Sequence, residues 1–132
     1  MLALRNPHDA YRRVEFDARI ASARPDQLVA LCYQELAMAL GSAVRAHERG
    51  DNQRRSEGLT RALAALTALQ LGIDSQAAAA AALQAFYSGL RRTVLSSVPH
   101  FDPARLLAAK KDVEDVAAAL GSQVDRSILE GS

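Results

Sequence analysis

Residues 25–52 read PDQLVALCYQELAMALGSAVRAHERGDN, and their pattern decides the class of fold. Pro25 and Asp26 suit a first helical turn, and Leu28, Leu31, Cys32, Leu36, Leu40 and Val44 then recur at threes and fours, the period of one helical face. Gly50-Asp51-Asn52 closes the run. The spacing predicts a helix from Pro25 to Glu48, about 36 Å long at the normal helical rise. The residue before Pro25, where a capping side chain is usual, is Arg24.

A second helical pattern follows at once. From Asn52 to Leu71, Leu59, Leu63, Leu66 and Leu69 share a stripe, and Gly72 stands as its stop. Asp74 or Ser75 can cap a third helix, expected over Ser75–Val98, which opens in the alanine run 77–82 and continues with Leu83, Phe86, Leu90 and Val94. Asp102 as N-cap and Pro103 at the first position begin a fourth, with Leu106, Ala109, Val113, Val116 and Leu120 on one face and an expected end at Gly121. Short connections turn consecutive helices back on one another. The expected fold is all-α: an antiparallel up-down-up-down four-helix bundle over residues 25–122, with an N-terminal arm at 1–24 and a C-terminal tail at 123–132.

With 132 residues the chain suits one domain with an ordinary core. Sixteen basic and 15 acidic residues leave a net charge of +1, and the doublets Arg12-Arg13, Arg54-Arg55, Arg91-Arg92 and Lys110-Lys111 lie in four different segments. No nucleic-acid stripe is present. The single cysteine, Cys32, has no internal partner, no charged-then-apolar leader is expected at the start, and no apolar run is expected to approach the ~18 residues of a bilayer span. These features predict a cytoplasmic protein without membrane insertion. Alanine supplies much of the 49% apolar content, aromatics are 5% and tryptophan is absent, a composition that favours closely spaced helices.

The chemistry-bearing residues form no constellation. Metal-binding bundles place Glu-x-x-His pairs on facing helices, whereas His8, His47 and His100 each stand without a second ligand at helical spacing. No metal or other cofactor is expected. Asp112, Glu114 and Asp115 flank Val113 and Val116 beside Lys110 and Lys111, as a solvated charged face does. Cys32 reads as a small buried hydrophobe. What remains are apolar groups outside the four stripes: Tyr11, Val14, Phe16 and Ile20 in the arm, Val29 and Tyr33 on the first helix, and Tyr87 on the third. As a set they predict an apolar groove for a partner.

The stretch AYRRVEFDARIASARPDQLVALCY, Ala10 to Tyr33, resembles the opening of the flagellar secretion chaperone family FliS, in which Ala-Tyr is followed by Ser-Ala-Ser-Pro-x-Gln-Leu-Val and a Tyr-Asp-Gly. ALQAFYSGLRRTVL is similar to a later family segment, matching at Leu83, Tyr87 and Arg92, and Asp102 falls where the family opens its last helix. The resemblance covers about residues 10 to 120. It implies a bundle that binds the disordered C-terminal segment of flagellin in the cytoplasm, prevents premature polymerisation and delivers flagellin to the flagellar export gate, with the arm covering part of the site until the client arrives. The residues implied in binding are Tyr11, Val14, Ile20, Leu28, Val29, Tyr33 and Tyr87. Arg24, Gln34-Glu35, the alanine run and the missing tryptophan depart from the family pattern. A self-associating structural bundle, a homodimer without a flagellin client, is the alternative.

Overall fold

The structure, a computed structural model, describes residues 25–130, with side chains from 27 to 121. Four helices make it up: α1 (Pro25–Glu48), α2 (Asn52–Leu71), α3 (Ala80–Ser96) and α4 (Pro103–Glu130). The sequence reading placed both ends of α1 and α2 and the start of α4. Gly50, at φ 70°, ends α1 in the left-handed region that glycine enters without strain. Asp51 then caps α2 by accepting the Arg54 N–H at 3.1 Å. Asp102 does the same for α4 through the Arg105 N–H, also at 3.1 Å.

Three boundaries, and the geometry of a fourth, differ from expectation. Gly72 closes α2 at φ −85°, without the left-handed turn of a C′ glycine. α3 starts at Ala80, not Ser75, and ends at Ser96, not Val98. α4 does not end at Gly121 but continues to Glu130. An internal glycine costs a helix only about 1 kcal/mol, and no proline follows to stop it.

α1 is the central member, packed along α2 on one side and against α4 on the other, while α3 lies against α2 and touches α4 more lightly. Pairs across the helices fix the antiparallel sense. Glu35 meets Arg61 near the middle of α1 and α2, and His47 at the end of α1 stacks on Phe101 just before α4, with ring centroids 4.4 Å apart. The core comprises Leu36, Ala39, Leu40, Ala43 and Val44 of α1, Ala62, Leu66 and Leu69 of α2, Leu90 and Val94 of α3, and Leu106 and Val113 of α4. Alanines set the spacing between helices. A Cβ on Gly58 would lie 3.0 Å from the Ala39 carbonyl oxygen, the Ala43 nitrogen and the Ala43 Cβ.

α1 is also, over Gln27–Glu48, long and apolar enough by length and composition to cross a membrane, which the search for apolar runs missed. Yet 44% of its most apolar window is buried inside the bundle, as befits a core helix.

Two glycine substitutions separate packing from propensity. Gly58→Ala forces backbone atoms of α1 aside and is expected to lower the unfolding free energy by ~1–3 kcal/mol despite alanine's better helix propensity. Gly89→Ala, in α3 with nothing within 4 Å of the new Cβ, is expected to raise it by ~0.5–1 kcal/mol. Urea unfolding of the two variants checks both signs.

Candidate partner-binding surface

Burial is uneven along the bundle axis. At the end formed by the C-terminus of α1 and the N-termini of α2 and α4, full burial extends to Ala46, Gly58, Ser97 and Leu106. A polar-aromatic cluster finishes this closed end. The Arg55 guanidinium lies 5.3 Å from the Phe101 ring centroid and its Nη1 donates to His47 Nδ1 at 3.3 Å, a cation–π contact added to the stack.

The opposite end is different. Among the residues whose side chains are described, full burial stops at Cys32 on α1, Leu69 on α2, Tyr87 on α3 and Val113 on α4. Beyond these lie half-buried Ile73, Leu83, Phe86, Val116 and Leu120, all packed against the core, then half-buried Leu28 and exposed Val29. Val29 lies one helical turn before Cys32 and Tyr33, on the same face of α1 that forms the core further along. It is 37% exposed. The core stripe of α1 thus runs out of the packed interior into a partly open apolar end.

Tyr33 and Tyr87 occupy the boundary between the two regimes. They are only 1% and 2% exposed, which corrects the expectation that they lie outside the core. Their hydroxyls form a 2.7 Å hydrogen bond between α1 and α3, with ring centroids 6.1 Å apart, and Phe86 packs 5.8 Å from Tyr87. The bond satisfies both polar tips where water is excluded. Burial, and then the hydrogen bond to Tyr87, push the Tyr33 hydroxyl far above the ordinary tyrosine range. Burial also raises Tyr87, against a lowering by the hydrogen bond it shares with Tyr33. The Cys32 thiol is raised by burial and by the nearby Glu35 charge, so it stays protonated at neutral pH.

Of the other implied site residues, Tyr11, Val14 and Ile20 lie outside the described residues, as does Arg24. Leu28 and Val29 stand at the open end. Sequence reading missed two polar bridges. Arg61 Nη2 and Nε contact Glu35 Oε1 at 2.7 and 2.8 Å, tying α2 to α1, and Arg91 donates to Thr67 Oγ1 and Gln70 Oε1 at 2.8 and 2.7 Å, tying α3 to α2. No local pattern announces such pairs, because their partners are 21 to 26 residues apart. Ile73 was missed as well, although an apolar residue directly after a helix-ending glycine signals an anchor. Lys110–Glu114 and Lys111–Asp115, both at 3.2 Å, make the solvated face read from the sequence. Among the described residues no group of three or more His, Cys, Asp or Glu could hold a metal ion.

A helical bundle with one closed and one partly apolar, open end offers a surface on which an apolar chain segment can dock. Residues 7–122 match the model of a family described as Flagellar protein FliS, and the chain belongs to that family. The family is one of flagellar export chaperones, which act in flagellar assembly. The comparison with curated proteins gave no match.

The tyrosine pair gives two expectations. Tyr33→Phe or Tyr87→Phe alone strands a buried hydroxyl and lowers the unfolding free energy by ~1–3 kcal/mol, while the double variant is no worse than the poorer single one. The raised folded-state values mean that native protein holds these protons after the unfolded chain, at about pH 10, begins to lose them. The stability they contribute is therefore complete below about pH 10 and falls as pH climbs towards the folded-state values. Urea midpoints measured from pH 8 to 11 should decline above that point, and less steeply in the double variant.

Proposed function

We propose that this chain binds the disordered C-terminal segment of flagellin in the cytoplasm, keeps it from polymerising early and delivers it to the export gate of the flagellar type III apparatus. Membership in the family carries the general role, and the partly open apolar end supports the client reading. Leu28 and Val29 contact the client, and Tyr33 and Tyr87 form the rigid floor behind them. Tyr11, Val14 and Ile20 of the arm compete for the same apolar surface, so residues 1–24 act as a lid. A disordered client spends part of its interaction energy on its own ordering, which makes a long apolar contact necessary for useful affinity.

Calorimetric titration with a peptide from the C-terminal region of the same organism's flagellin tests this. A one-to-one complex with Kd of about 10 µM or tighter is expected, and no heat at ten times that concentration would overturn the proposal. Val29→Asp should weaken binding at least about tenfold. Removing residues 1–20 should change the affinity measurably, since a competing lid is lost. Light scattering identifies the alternative: a dimer unaffected by the peptide.

A further inference from the structure

The start of α3 carries two competing sets of helix signals. Ala79, at the N-cap position, has no side-chain cap hydrogen bond. Five residues earlier, Asp74 Oδ1 accepts the Gln76 N–H at 2.9 Å, the contact an N-cap aspartate makes with the second residue of a helix. Between them the backbone already coils. Ala77 N–H donates to the Asp74 carbonyl at 3.0 Å and Ala80 N–H to the Ala77 carbonyl at 3.1 Å, three-residue steps that close one residue short of the α-helical bond.

Composition favours completing that helix. Residues 74–79 contain no proline or glycine, and three of the six are alanine, which costs a helix least. All six are exposed, so no packing of their side chains holds the turn form in place. The opposing force lies just upstream. Ile73 is half-buried against the core directly after the closing Gly72. Winding 74–79 into α3 would leave only Gly72 and Ile73 to join α2 to α3, and each wound residue advances the chain by less than half its extended reach. The shortened connection and the core contact of Ile73 compete for the same few residues of chain.

We propose that residues 74–79 exchange between the turns seen here and a helical form in which α3 begins at an Asp74 cap, with the Ile73 side chain as the latch. The exchange is a property of the chain alone and holds whether or not flagellin is the client. Helix gained on one side opposes apolar burial lost on the other, and the difference between the two sets how the forms are populated.

Nuclear magnetic resonance of the full chain tests the latch through the Cα shifts and amide exchange of Ala77–Ala82. Ile73→Ala is expected to move these alanines towards helical shifts and to slow their amide exchange at least about threefold, although it removes a core contact. Adding Ala78→Gly to that variant should reverse both changes at least in part, since glycine costs a continuous helix more than isolated turns. Ile73→Val, which keeps most of the packing, should move the shifts the same way by less, and it decides the matter if Ile73→Ala does not fold. Shifts that stay put, or move towards coil, in the folded Ile73 variants would overturn the proposal.

Discussion

The close contact of α1 with α2 is the constraint on which the rest of the bundle depends. At Gly58 the two backbones approach so nearly that Ala39 and Ala43 leave no room for a methyl group. Small residues on both sides allow this approach, and dispersion contacts between tightly packed atoms then replace the larger side chains that most cores use. Because α1 also carries α4, its position sets that of the whole frame. The aliphatic stem of Lys110 passes over Gly41, with its Cε 3.2 Å from where a Cβ would stand, so at that point α1 is covered by a long amphipathic side chain of α4 beside the apolar Leu106 and Val113.

Polar groups complete what close packing begins. Glu35–Arg61 and the Arg91 bridge each join neighbouring helices through partly buried, charge-assisted hydrogen bonds. They secure the sides of the bundle, and the His47–Phe101–Arg55 cluster secures one end. No comparable cluster stands at the other end among the described residues. The asymmetry leaves apolar side chains of α1, α3 and α4 in partial contact with solvent, which an isolated domain tolerates only at some cost in burial.

Much of this was legible in the sequence, for physical reasons that can be named. The ends of α1 and the starts of α2 and α4 are written in local chemistry: a proline at a first turn, a left-handed glycine and capping aspartates, of which the reading named Asp102 and not Asp51. The start of α3 was misread because alanine's propensity is a weak preference, and the turn that Asp74 caps does not continue as regular helix before Ala80. Tyr33 and Tyr87 were set outside the core because the stripes were drawn too narrow. A helix covered on several sides buries a wider arc than the usual one-sided pattern. Which polar groups would meet across helices was not readable, since it depends on the rotation of each helix about its own axis.

The chain holds three tyrosines and no tryptophan, and two of those tyrosines share one buried hydrogen bond at the junction of the packed core and the open end. The near-ultraviolet absorption and emission of the native molecule therefore originate largely from a single place. A hydroxyl held by a neighbouring hydroxyl in a dry environment has a spectrum and an emission yield different from those of one in water. The protein thus carries an intrinsic optical probe beneath its apolar end, and events there are visible without a label.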